Sequence, residues 1–351
     1  MTENKSILIK NIYYMLTYAF HVLKQSNYDE VASEQFDKIE DLFAAILSKG
    51  IAQQLKQGLY REYTERCENL SVMRGKLGIE GTIRNKLQRK QKLSCEYDEL
   101  TQNNVFNSIL KTTATLLMHQ PSVDKERRKA LKKVMLFFEE VDSIEISAIK
   151  WGTLQYRRSN QSYRMLMNIC YFVLEGLLLS TEKGAFSMAS FLDEQRMSTL
   201  YEKFVLEYYR YHHPRLKASS SRVDWNIDDG IIGLLPNMQT DIMLTNKEKT
   251  LIIDTKYYSR TMQTRAEYNS RTLHSGNLYQ IFAYVKNHDV HSTGNTSGML
   301  LYAKTEEEIT PDCDFKMSGN KISVKTLDLN VAFEVIEAQL NHIVLSCFND
   351  Y

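Results

Sequence analysis

The sequence predicts an α/β chain, α+β overall, in two parts: a mainly helical N-terminal domain with small β elements, then an αβββαβ domain. Three observations carry this. A length of 351 residues exceeds the usual size of a single hydrophobic core. Helical spacing dominates to about residue 179, broken by a glycine-punctuated stretch between 62 and 98. Beyond the polar segment "STEKGAFSMAS", short strand-like runs alternate with helical ones. The division is therefore placed at 1–183 and 184–351.

In chain order, residues 8–25 and 37–60 read as amphipathic helices, with Ile12, Leu16, Ala19 and Phe20 on one face of the first. "LSVMRGKLGIEGTI" carries Gly75, Gly78 and Gly81 among short alternating pieces, the grammar of small strands and turns. "NVFNSILKTTATLLMH" returns to helical spacing, Asp124 opens "DKERRKALKKVMLFFEEV" as another helix, and Tyr163–Leu179 forms a third block. The second part begins with a helix over 193–212, stopped by Pro214. Strands are expected at 219–226, 239–245 and 249–257, then a helix at 276–287. Strands "SGMLLYAK" and "KISVKTLDL" and a helix at 331–346 complete it.

Composition is that of an ordinary soluble globular protein, 43% hydrophobic and 25% charged. A formal net charge of +1 excludes a globally basic DNA-coating protein. Five scattered cysteines without a CxxC spacing read as free thiols in a reducing cytosol. The N-terminus lacks a signal-peptide pattern, and the oiliest stretch, "MLMNICYFVLEGLLLS", is too short and too polar to span a bilayer. The expected location is the cytoplasm, with no membrane partner.

The chemistry concentrates in "DIMLTNKEKTLIIDTKYY", residues 241–258. Asp254 and Lys256 are two apart on a strand, so they leave the same face. If the two strands form a hairpin, Asp241 comes alongside Asp254. Two adjacent carboxylates repel, and a divalent cation relieves that repulsion. A lysine beside them steadies negative charge on a phosphate oxygen. The set suits metal-assisted phosphodiester hydrolysis, with Mg2+ as the expected ion. Asp-x-Lys also occurs by chance as a surface pair; the apolar run before it, the upstream Asp241 and the helix "NLYQIFAYVKNH" lift it above that background. Gln280 and Tyr284 share a face of that helix.

Together these features resemble the PD-(D/E)xK nuclease superfamily, with Asp241 as first acid, Asp254 as second and Lys256 as the lysine. Pro236 stands five residues before Asp241, a displacement of the motif's proline. Gln-x-x-x-Tyr resembles RecB-like nucleases, which implies that Gln280 and Tyr284 support the site and the DNA backbone. The superfamily often takes a further acid from the preceding helix. Glu202 and Glu207 are the candidates here, though each reads first as a solvated helix residue. His212 and His213 point to different faces and read as helix-end residues.

The order of "IKNIYYMLTYAF", "RGKLGIEGTIR", "LSCEYDELTQNNVFNSILK" and the nuclease stretches resembles the McrC family of the McrBC modification-dependent restriction systems. That resemblance spans about residues 8–345. It implies an N-terminal domain docking on an McrB-like hexameric AAA+ GTPase that recognises methylated cytosine in double-stranded DNA, and a C-terminal domain that cuts. No Walker A pattern is present, so GTP is expected on the partner. Near-zero net charge agrees with a borrowed DNA grip. From Gly81 to Cys95 the chain has Arg84, Lys86, Arg89, Lys90 and Lys92 and no acid. It reads either as a solvated loop or as an extension entering the motor's pore, with Arg84, Arg89 and Lys90 on the partner. Arg260, Arg265 and Arg271, in the long segment between Tyr257 and Gly276, are candidates for contact with DNA. The rival readings are a non-catalytic adaptor that activates an AAA+ motor, and a RecB-like DNA repair nuclease.

Overall fold

The computed structural model describes residues 9–20, 36, 38–182, 194–230, 232–257, 262–265, 270–304 and 310–348, with backbone alone at 9, 175–182, 194–196, 232, 262–265 and 270–271. The chain divides into two compact units. One comprises Met1–Ser26, Ala32–Asp37 and Ser187–Tyr351, the other Asn27–Val31 and Lys38–Phe186. The expected boundary at 183/184 lies outside the described residues.

The N-terminal unit opens with α2 (Ile39–Gln57), whose Leu42–Leu47 run is buried. A three-stranded antiparallel sheet follows, ordered β1 (Glu62–Leu70), β3 (Leu93–Thr101), β2 (Lys76–Leu77). Gly75, at φ 68, leads into β2 against β3, where a Cβ would collide with the Glu96 carbonyl and Tyr97. Helix α3 (Ile79–Leu87) then crosses to β3. The basic stretch, read either as a solvated loop or as an extension, is thus largely structured. Arg84 and Lys86 lie on α3, and Arg89, at φ 57, turns the chain toward β3. The glycines at 78 and 81 suggested turns, but both pack their bare Cα against Ser94, so they mark a close helix–strand contact instead. Helices α4 (Val105–His119), α5 (Lys125–Met135) and α6 (Tyr163–Glu182) complete the unit. Asp124 caps α5 by accepting the Glu126 N–H at 2.8 Å, as its position predicts.

The C-terminal unit is built on a five-stranded mixed sheet, β11-β12-β10-β7-β6. Its elements are α7 (Glu194–His212), β4 (Arg222–Val223), β5 (Met238–Gln239), β6 (Ile242–Thr245), β7 (Thr250–Lys256), β8 (Met262–Arg265), β9 (Ser270–Leu273), α8 (Ser275–His288), β10 (Thr296–Ala303), β11 (Cys313–Met317), β12 (Asn320–Leu327) and α9 (Phe333–Cys347). β6 and β7 form the expected antiparallel hairpin, while β7, β10 and β12 run parallel. A central parallel strand is covered on both faces, which is why β7 reads as an unbroken oily run. The strand expected at 219–226 shrinks to Arg222–Val223 plus a bridge from Ser219 to Met243. The expected loop between Tyr257 and Gly276 contains the β8–β9 hairpin, and β11 is an added edge strand.

Helix α8 sits close to the sheet because β10 presents Gly298 beneath it. A methyl there would press on Ile281, Val285 and Ile322. These residues belong to one core with Ile252, Leu300 and Val324. The first helix, α1 (Ile9–Ala19), belongs to this unit and not to the N-terminal one. Asn11 donates to the carbonyls of Leu329 and Val331 at 2.8 and 2.7 Å, and Tyr14 stacks on Phe333 with centroids 4.2 Å apart.

Candidate active site

The register of the hairpin sets the site. Ile242 pairs with Ile253, so the next positions outward, Asp241 and Asp254, stand opposite one another at its open end. Asp254 is 1% exposed; its Oδ2 lies 2.8 Å from Lys256 Nζ, and Oδ1 accepts no hydrogen bond. Burial pushes its carboxyl up to about 6, with the Asp241 charge adding to the shift and Lys256 opposing it. Lys256 donates to Gln280 Oε1 at 3.2 Å, Gln280 Nε2 donates to the Tyr284 hydroxyl at 2.9 Å, and that hydroxyl donates to the Gln239 carbonyl at 3.1 Å. This polar chain runs from the lysine on β7, through α8, to β5 two residues before Asp241.

Of the two helix acids, Glu202 joins the cluster. Burial, then the charges of Asp241 and Asp254, push its carboxyl up to about 7. Glu207 is buried elsewhere on the helix, its Oε1 2.7 Å from Arg210 Nη1. Five residues of helix turn two side chains roughly 140° apart, so one position excludes the other. The histidines at the end of α7 are packed: His212 Nε2 lies 2.7 Å from the Tyr18 hydroxyl and His213 Nε2 2.8 Å from Asn341 Oδ1. Thr255, unremarked in the sequence, donates to Asp241 from both its N–H and its hydroxyl. Its signal was only its place between Asp254 and Lys256.

Among the described residues no three His, Cys, Asp or Glu side chains stand arranged as a ready metal cage. The donor set nevertheless fits a divalent cation. A buried carboxylate oxygen without a hydrogen bond and two carboxyls held toward their protonated forms are what a cation would satisfy. Arg260 lies outside the described residues. Arg265 and Arg271 lie on the β8–β9 hairpin, their side chains outside the description. The cysteines described are free thiols.

A second surface lies on the N-terminal unit, where α3 is inside out. Its buried face is polar: Thr82 accepts the Ser94 N–H at 3.0 Å, and Asn85 donates to Asn69 Oδ1 at 2.6 Å. Ile79, Ile83 and Leu87, spaced four apart on one face, are all exposed, Leu87 at 80%. Val72, Met73 and Tyr63 are also exposed, and so are Arg84, Arg89 and Lys90.

A family model described as the McrBC 5-methylcytosine restriction system component matches residues 2–303. The chain belongs to the McrBC family. Within it, the chain is 26% identical over 353 residues to the type IV methyl-directed restriction enzyme EcoKMcrBC of Escherichia coli strain K12, covering 99% of each. It shares a fold with a chain in the assembly of Thermococcus gammatolerans McrB AAA+ hexamers with bound McrC. There the TM-score is 0.55 at 18% identity, over 95% of this chain and 76% of that one. The resemblance read from the ordered stretches and the α+β fold class both hold for this McrBC family member. No helix among the described residues is long and apolar enough to cross a membrane.

Proposed function

We propose that this chain is the endonuclease subunit of a modification-dependent restriction complex. It cuts DNA with Mg2+ and works with an McrB-like AAA+ hexamer that holds the GTP and recognises 5-methylcytosine in double-stranded DNA. The observation that carries the reading is the convergence of Asp241, Asp254 and Lys256 at one open hairpin end. Asp241 and Asp254 would hold the cation, with Glu202 beside them. A cation bound there supplies Lewis-acid activation of water and of the scissile phosphate. Lys256 carries a fixed positive charge for the developing phosphate oxyanion, and Gln280, steadied by Tyr284, sets where that ammonium points.

Docking on the motor is assigned to the inside-out face of α3. An exposed apolar stripe framed by Arg84, Arg89 and Lys90 suits a protein surface that supplies an apolar seat and acidic rim. The β8–β9 hairpin, with Arg265 and Arg271, and Arg260 before it, are assigned to the DNA beside the cut. Membership of the family supports the restriction context, and location in the cytoplasm belongs to the same proposal.

The test is cleavage of methylated and unmethylated DNA by the chain co-assembled with its AAA+ partner, with GTP and Mg2+. The expected result is cutting of methylated DNA alone, abolished in Asp254→Ala while the complex and its GTPase stimulation persist. Undiminished cutting by Asp254→Ala would overturn the site.

A further inference from the structure

Asp241 is held by one neighbour. The Thr255 N–H donates to its Oδ2 at 2.7 Å, and the Thr255 hydroxyl donates to the same oxygen at 2.8 Å. Among the described residues no hydrogen-bond donor meets the other oxygen. Asp241 lies one residue before β6, where the hairpin ladder has stopped at Ile242 and Ile253. The carboxylate thereby takes a β7 N–H that β6 no longer pairs with a carbonyl. Thr255 is 4% exposed and lies in the middle of the sheet, paired across to Leu301 of β10. The clamp is therefore mounted on a buried strand held by its pairing with β10.

Two donors converging on one oxygen fix both the position and the plane of a carboxylate, and leave its second oxygen open. Unclamped, the side chain of Asp241 would lose torsional freedom on meeting a cation; clamped, that ordering is already complete. We propose that Thr255 is a positioning residue: it sets Asp241 opposite Asp254 at the spacing a divalent cation needs. Three successive residues of β7 then have three tasks. Asp254 is a ligand, Thr255 orients the ligand from the neighbouring strand, and Lys256 carries the positive charge. The middle residue of Asp-x-Lys is accordingly constrained to a hydroxyl on Cβ. This inference rests on the metal-dependent nuclease reading and adds to it the residue that organises the cation site.

The test uses Thr255→Val, which keeps the side-chain shape, the β-branched preference and the N–H bond and removes only the hydroxyl donor. Mn2+ is titrated into the full chain by calorimetry, and cleavage is followed in the complex with the AAA+ partner. The valine variant is expected to bind Mn2+ roughly 10–100-fold more weakly, the range for residues that orient a metal ligand. In the complex kcat falls and KM for DNA stays, with recovery at raised Mg2+. Thr255→Ser restores both readouts. In an Asp241→Ala background the valine change adds nothing further, because the acceptor that Thr255 clamps is gone. Parental Mn2+ affinity in the valine variant would overturn the proposal, as would a serine variant as impaired as valine. Asp254→Ala reports separately on whether the site cuts DNA at all, so the two failures are distinguishable.

Discussion

The two units of this chain treat charge and apolar surface in opposite ways. In the C-terminal unit the ionisable groups turn inward: Asp254 is buried at the end of an oily strand, and Lys256, at 14% exposure, leans on it. In the N-terminal unit α3 turns its apolar residues outward and buries threonine and asparagine. Neither arrangement favours the isolated chain. A buried carboxylate with an unmet oxygen costs free energy, and exposed isoleucine and leucine forgo the burial that would stabilise them. In the proposed function each departure has something that completes it: a cation and a phosphate in one case, a protein surface in the other. The lesson is that violations of ordinary folding preference mark function, and their chemical type says which function.

This contrast can be broken by substitutions that touch one unit and leave the other alone. The largest effect is expected from Asp254→Ala, with loss of DNA cleavage on the order of 1,000-fold or more, since a metal ligand contributes several kcal/mol to the transition state. Co-elution with the motor and GTP turnover should be unchanged. Next comes serine at Ile79, Ile83 and Leu87 together, which should weaken assembly by on the order of 100-fold if each contributes about 1 kcal/mol at the interface. The melting temperature of the free chain should stay level or rise. Intact assembly in that variant would remove the docking surface from α3.

The third test is a pH dependence. Glu202 and Asp254, raised to about 7 and about 6 from ordinary values of 4.5 and 3.8, keep protons in the folded state that the unfolded chain has released. The native state thus binds more protons in this window, and stability of the metal-free chain should fall as pH rises from 4.5 towards 7. Urea midpoints measured across that range should show the decline, with Mg2+ and the change Glu202→Gln each flattening it. A rising midpoint would contradict the burial of these acids. The smallest effect belongs to neutralising Arg84, Arg89 and Lys90. Assembly should weaken by about threefold per residue or less at low salt, and less again at high salt, because exposed charges are screened.

Much of the geometry at the open hairpin end was legible beforehand. Asp254 and Lys256 share a face by the period of a strand, the turn at "TNKEK" brings Asp241 back, and Gln280 and Tyr284 follow from helical spacing. The hairpin register then needed no long-range information, because a short turn fixes it locally. What was not legible depends on contacts distant in sequence. Nothing in the spacing of Glu202 and Glu207 says which faces β7; that is decided by how α7 packs on the sheet. The basic stretch could be read as a loop because glycines punctuate its approach, and that Ile79, Ile83 and Leu87 face solvent on α3 depends on how the helix packs on β3. The placement of α1 was invisible for the same reason, since its partners lie far off in sequence, His212 194 residues from Tyr18 and Leu329 318 from Asn11.

That placement bears on synthesis. The first helix leaves the ribosome early, whereas Leu329, which receives the Asn11 amide, follows 318 residues later. At about 5–20 residues per second, the helix waits roughly a quarter of a minute to a full minute for its seat. Tyr18 meets Phe204 and His212 once α7 is made, but Tyr14 and Asn11 wait for Phe333 and Leu329. The whole N-terminal unit is made in the meantime, as an insert between the first segment of a domain and the remainder of it. Closure of that domain therefore waits for α9. A chain truncated before α9 would retain α3 while leaving the C-terminal unit without Phe333, on which Tyr14 of α1 stacks.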